Sequence, residues 1–286
     1  MQILPSTALR GFIKHYLFLA CENTSIQKLR LFSDGNMGMV FSFRTNMLSN
    51  IQRTGRFEQL PASFVYGQIS EFKDLYLVNG ASLVIVVFQP AGFYQLLGIP
   101  AKELRNNIIR TEDLFGWSAP MLQEKLAEQI TIEGKIQLLN AFFEDSVTPK
   151  KQPNQLLIEA SMHFILQNKG ANTIHQLVKH TGYTERHIER TFVECIGLSP
   201  KKFGNIIKLH GFLKLLKNKT QQNNLAGISY EAGYADQSHL IKEFRKYTGI
   251  TPKEYLHKTN KLTNNFLQLN TTAEAMSVLY NFPGRS

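Results

Sequence analysis

The sequence predicts an α+β chain, with a β-rich N-terminal half that also holds helices and an all-α C-terminal half. Three observations carry this. The run Ser82–Phe88 is β-branched and apolar throughout, a strand pattern. The segment from Asp145 to Pro153 sets two prolines among polar residues and reads as a domain boundary. Beyond it the texture changes to helices of about ten residues broken by Gly, Thr and Ser.

In order along the chain, Phe12–Cys21 is apolar and aromatic, and Met37–Phe43 partly alternates, so both read as strands. Gly67 and Gly80 punctuate further strands, and the run 82–88 stops at Pro90-Ala91-Gly92. Helical patterns follow over Gly92–Leu97 and Ala101–Asn106, with Pro100 at a first helical position. Ser118–Gln129 and Ile132–Glu144 read as two amphipathic helices. This gives an N-terminal domain over 1–147, a linker over 148–154, a helical domain over 155–257 and a polar tail over 258–286. A short helix is expected in the tail over Phe266–Tyr280.

Charge divides along the same line. Of a formal net charge of +10, residues 1–150 contribute 14 basic against 13 acidic side chains, and residues 151–286 contribute 18 against 9. A polyanion is the expected partner of the second half. The longest apolar run, Leu83–Phe88, is too short to span a bilayer, so no membrane partner is expected. No basic segment followed by an apolar one opens the chain, which has only Cys21 and Cys195. A reducing, cytoplasmic and nucleoid-associated setting is expected, with no disulfide framework, metal or cofactor.

The C-terminal half contains an internal repeat. His187 and His239, Phe192 and Phe244, Gly197 and Gly249, and Pro200 and Pro252 are each 52 positions apart. The units run over about 173–200 and 225–252. In each, a short amphipathic helix ends at a glycine, Gly182 or Gly233, which tolerates the left-handed conformation that stops it. Thr184 or Asp236 then stands where an N-cap is needed. In the next helix Ile188 and Phe192, or Leu240 and Phe244, are four apart on a face to be buried. The opposite face carries Glu185, Arg186, Glu189 and Arg190 in one unit and Gln237, Ser238, Ile241, Lys242 and Arg245 in the other. Two short helices joined by a glycine turn form a helix-turn-helix, and side chains of these types bond base edges in a major groove. One such unit is weak evidence, since many helical hairpins share a glycine turn. Two in register, each closing on Gly-x-x-Pro, are far more specific.

Over about residues 155–257 the chain resembles the DNA-binding domain of AraC/XylS-family transcriptional regulators. The stretch from Ile228 to Pro252 is close to that family's signature along its whole length. The resemblance implies two helix-turn-helix subdomains joined by a long helix, here about Lys201–Lys217. Their second helices then enter successive major grooves of double-stranded promoter DNA about 34 Å apart. By position, the resemblance implies base contacts from Arg186, Glu189, Arg190, Gln237, Ser238, His239 and Lys242. It implies phosphate contacts from Lys201, Lys202, Arg245, Lys246 and Lys253, each of which reads as readily as a solvated surface charge. Lys242 stands where the family commonly has arginine, and Val178 where a small alanine is usual. Gly211 and Phe212 replace a polar and a small residue in the linking helix, and Gly211 weakens it by up to about 1 kcal/mol.

In the first half, Phe88–Leu104 continuing to Asp113–Gly116, with Leu4-Pro5, Ile13–Tyr16 and Ser33-Asp34-Gly35, resembles an N-terminal domain found in many regulators of this family. The resemblance implies a cupin-like β-barrel that senses a small-molecule effector, dimerises, or does both, with RNA polymerase as a further partner. Asp34 and Gly35 could line a pocket mouth but read more readily as a turn. His15 beside Tyr16 reads more readily as a core or surface histidine than as pocket lining. Phe12, Tyr16, Phe41, Phe43, Phe64 and Tyr66 read as core first and pocket second. The eight histidines lack metal-ligand spacing, and no nucleophile elbow or phosphate-binding glycine loop is present, so no enzyme is expected. Cys195, near arginines, is a candidate redox thiol, although a buried small apolar residue is the plainer reading.

Overall fold

The computed structural model describes residues 1–21, 26–43, 46–51, 56–78, 80–146, 154–218, 225–257, 260–263 and 266–269. The first half supplies strands β1 (Gln2–Ile3), β2 (Ile13–Cys21), β3 (Gln27–Leu31), β4 (Gly38–Ser42) and β5 (Asn46–Ile51). It continues with β6 (Arg56–Gln59), β7 (Ser63–Tyr66), β8 (Lys73–Val78), β9 (Ala81–Phe88) and β10 (Ile108–Arg110). Helices α1 (Gly92–Leu97), α2 (Thr111–Phe115), α3 (Ser118–Glu128) and α4 (Ile132–Ser146) complete it. The second half holds α5 (Gln155–Gln167), α6 (Ile174–Thr181), α7 (Glu185–Cys195), α8 (Pro200–Asn218), α9 (Leu225–Glu231), α10 (Gln237–Thr248) and α11 (Pro252–His257). Two strands follow, β11 (Asn260–Thr263) and β12 (Phe266–Leu269).

The strands form two antiparallel sheets, β1-β2-β9-β4-β7-β10 and β11-β12-β3-β8-β5-β6. They stand where a cupin-like barrel was expected. The unbroken apolar character of β9 has a direct cause. Val84, Val86 and Phe88 face a cluster shared with α1, α3 and α4, which includes Phe93, Leu126 and Phe143. Leu83, Ile85 and Val87 face the other way, toward Leu29, Leu75 and Leu77 of the second sheet. A strand at the centre of a sheet with both faces covered cannot alternate with polar residues.

Two expectations are corrected here. Ala101–Leu104 is a single 3₁₀ turn, and β10 begins four residues later. The helix expected from Phe266 is instead strand β12, paired with β3 at Leu267↔Arg30 and Leu269↔Lys28. Leu267 and Leu269 alternate about Gln268, a period of two, and the edge of β3 offers unpaired backbone groups to such a segment. Leu267 is fully buried. Residues 270–286 and the boundary residues 147–153 lie outside the described residues.

One core cluster joins the two halves. Phe32, Ala91 and Tyr94 of the first half pack with Phe203, Ile206 and Phe244 of the second. The helix α8 lies along this seam. The His210 Nε2 donates to the Ser33 carbonyl oxygen at 3.0 Å, and Phe203 fills the space above Gly35.

Candidate nucleic-acid interface

Each helix-turn-helix unit is built from local signals. Gly182 and Gly233 take φ of +76° and +83°, ending α6 and following α9. A capping box closes the start of α6, with Thr173 Oγ1 accepting from the Gln176 backbone N–H and Gln176 Oε1 from that of Thr173. Thr184 Oγ1 accepts from the His187 N–H at 3.4 Å, and Asp236 Oδ1 from the His239 N–H at 2.7 Å. Ile188, Phe192 and Cys195 bury one face of α7, and Leu240, Phe244 and Tyr247 bury one face of α10.

The opposite faces are open. Arg186, Arg190, Gln237, Ser238, His239 and Lys242 are exposed, and Glu189 is half-buried. Burial, together with the charge of Glu185, pushes the Glu189 carboxyl above its ordinary range. The Arg190 guanidinium is held rather than free. Its Nη2 donates to His187 Nδ1 at 3.3 Å. His187 Nε2 therefore carries the proton and donates to Asn154 Oδ1 at 3.2 Å, and Tyr183 stacks on the same imidazole with centroids 5.2 Å apart. In the second unit Ser238, Lys242, Arg245 and Lys246 line one shallow concavity. His239 Nε2 lies 4.0 Å from Glu243 Oε1.

Lys201, Lys202 and Lys253 are exposed. Partial burial and the charges of Arg105 and Lys246 push the Lys202 ammonium below its ordinary range. Cations from the first half, the linking helix and α10 thus act on one another and repel. Arg105 was not singled out from sequence, because nothing around it in the chain marks it as adjacent to residues a hundred positions on. The thiol of Cys195 is pushed up to about 12 by burial, with Glu194 adding to the effect. That keeps it protonated at neutral pH and removes the basis for a redox thiolate.

A second feature lies in the first half. A cavity of about 400 Å³ opens between the sheets. Lys14, His15, Asp34 and Tyr66 line it; Asp34 also forms the expected turn, its Oδ1 accepting from the Asn36 N–H at 3.1 Å beside Gly35 at φ +82°, so it is both turn and pocket residue. Ile207 and His210 of α8 complete the cavity wall. Nothing local marks these two, which read as one turn of an ordinary helix.

Residues 177–258 match a family model described as a helix-turn-helix domain, and residues 1–110 match one described as a domain of unknown function, DUF6597. The chain is 33% identical over 115 residues to an uncharacterized HTH-type transcriptional regulator of Haemophilus influenzae, covering 35% of this chain and 38% of that protein. It is 28% identical over 101 residues to a lactose operon transcription activator of Staphylococcus xylosus, covering 35% and 36%. The chain thus spans under two-fifths of the length of the curated relatives it matches. Among solved structures, ToxT from Vibrio cholerae superposes with a TM-score of 0.47 at 10% identity, over 84% of this chain and 97% of that one. No helix among the described residues is long and apolar enough to cross a membrane. The helical half of the chain carries a helix-turn-helix domain, joined to a DUF6597 domain that begins the sheet-bearing half.

Proposed function

We propose that the chain is a sequence-specific DNA-binding transcription factor that regulates promoters and responds to an effector through its N-terminal half. The observation that carries this is the pair of capped helix-turn-helix units whose outward faces are polar and open to solvent, that of α7 balancing two arginines against two glutamates and that of α10 net basic. In this reading Arg186, Glu189 and Arg190 of α7, with Gln237, Ser238, His239 and Lys242 of α10, meet base edges. Arginine pairs with guanine and glutamate accepts from cytosine N4. Lys201, Lys202, Arg245, Lys246 and Lys253 meet phosphates and set the register. Residues 1–147 sense or dimerise, 148–154 link, and 155–257 bind DNA. The chain acts by binding, not by catalysis. The cavity between the sheets supports the effector. Trp117, Met121 and Ile130, large apolar side chains exposed on α3 and near it, support a second copy of the chain as partner. RNA polymerase is the other partner in this reading.

The test begins with selection of bound fragments from genomic DNA, followed by titration of the selected duplex and a scrambled one. Arg190→Ala and Lys242→Ala should each relax preference at one base pair per site, by about 1–3 kcal/mol. Affinity should fall steeply with salt. Equal binding of selected and scrambled duplexes by the unaltered chain would refute the assignment.

A further inference from the structure

The cavity has a polar pole with a definite chemistry. Asp34, His15, Tyr66 and His210 all line the cavity, and the charge of Asp34 bears on the other three. That carboxylate lies 3.7 Å from the Lys14 ammonium, and the pair cancels. Burial is the main force on the other three. It pushes both imidazoles below their ordinary range, and it pushes the Tyr66 phenol well above its own, so all three stay uncharged at neutral pH. Most of the remaining wall is apolar and comes from both sheets, including Leu17, Val40, Leu75 and Ile85, with Gln2, Lys73, Asn106 and Asn107 as its other polar residues.

Hydrogen-bond accounting narrows the chemistry further. His210 spends its Nε2–H on the Ser33 carbonyl, so the neutral ring keeps Nδ1 as an acceptor. The Tyr66 hydroxyl brings a donor to the same pole. Lys73, which also lines the cavity, gives its ammonium to the Asn106 carbonyl oxygen at 3.1 Å, and it shares an adjoining surface groove with Glu58. An ion entering the polar pole would find no net charge to pair with and would lose its hydration. A hydroxyl is at once donor and acceptor, the chemistry that an acceptor nitrogen and a phenol O–H in one cavity call for.

We propose that this cavity binds an uncharged, largely apolar molecule bearing a hydroxyl group, and that α8 reads its presence. His210 and Ile207 belong both to the cavity wall and to the helix that sets the distance between the two helix-turn-helix units. The occupant therefore touches the spacer of the DNA-binding half directly, with no intervening element. The ligand class stands on the cavity alone, and the readout rests on the DNA-binding reading above.

The probes are 1-decanol, decanoate and decylamine, each titrated into the full chain by calorimetry and by thermal denaturation. Decanol should bind about tenfold more tightly than either charged probe, since burying an unpaired ion costs far more than burying a bonded hydroxyl. Tyr66→Phe, which removes one oxygen, should weaken decanol about fivefold, and His210→Leu should do likewise. Decanoate or decylamine binding as tightly as decanol would overturn the ligand class, as would failure of all three to bind. Decanol affinity unchanged in both variants would overturn the assigned pole. For the readout, saturating decanol should change affinity for the selected duplex about fivefold in the unaltered chain and by less in Ile207→Ala. Unchanged duplex affinity in the unaltered chain overturns the readout while cavity binding stands. A chain that binds no duplex at any salt overturns the regulatory reading and the readout with it, and the three-probe comparison still decides the cavity.

Discussion

Arg30 shows how much one side chain can tie together. Its guanidinium makes two bonds to Asp74, at 2.6 and 2.7 Å, donates to the Thr248 carbonyl at 3.4 Å, and lies 4.0 Å from the centroid of the Phe72 ring. Burial alone would push the Asp74 carboxyl up. The bonds and charges of Arg30 and Lys28 outweigh it and hold the carboxyl below its ordinary range. A carboxyl with a depressed folded value stabilises the fold above its unfolded value, about 3.9, and loses that contribution as pH falls through the folded one. Asp74→Asn should therefore cost about 3 kcal/mol near neutral pH, because it leaves a buried guanidinium without its anion. The difference from the unaltered chain should shrink in acid; denaturant unfolding at several pH values measures it. Neither Arg30 nor Asp74 was marked by sequence, since 44 residues separate them and each alone reads as a surface charge. By contrast the turns and caps of the repeat were readable, because Gly182, Thr184, Gly233 and Asp236 act on neighbours within a few positions.

Among the elements, α8 carries the heaviest demands and has one soft point. Gly204 is needed there, since its Cβ would lie 3.0 Å from the Gly170 carbonyl oxygen. Gly211 is different: a Cβ added there meets nothing within 4 Å. The helix thus forgoes helix-forming tendency beside His210 with no packing reason. Gly211→Ala should raise stability by about 0.5–1 kcal/mol in denaturant unfolding. If helix softness contributes to readout, the same change should blunt the effect of decanol on duplex binding. Helix positions were broadly legible from periodicity, and α8 differs from its expected bounds by one residue at each end. Strand β12 was not legible, because its partner lies more than two hundred residues earlier and four residues are too few to set a period of two apart from a helical turn.

Across the whole molecule, the repeat has a second use. Gly197 and Gly249 occupy the same position in the two units, just beyond the ends of α7 and α10, and both abut the sheet-bearing half. A Cβ on Gly197 would lie 3.0 Å from the Ala101 carbonyl oxygen, and one on Gly249 would lie 2.5 Å from Arg30 and Phe72. Both units are thus gripped at equivalent corners, while the faces proposed for DNA stay open. Because one buried cluster spans the seam, Leu267→Ala should lower stability by about 2–4 kcal/mol. It should shift the sheet and helix transitions together when they are followed by separate probes. Independent transitions would show that the halves unfold separately. The pairing of β12 with β3 also orders events during synthesis. The edge of β3 is made early, and the strand that covers it emerges more than two hundred residues later, roughly 10–50 s at ribosomal speeds. Throughout that interval the nascent chain presents a bare strand edge, so its need for a chaperone should be greatest just before β12 emerges.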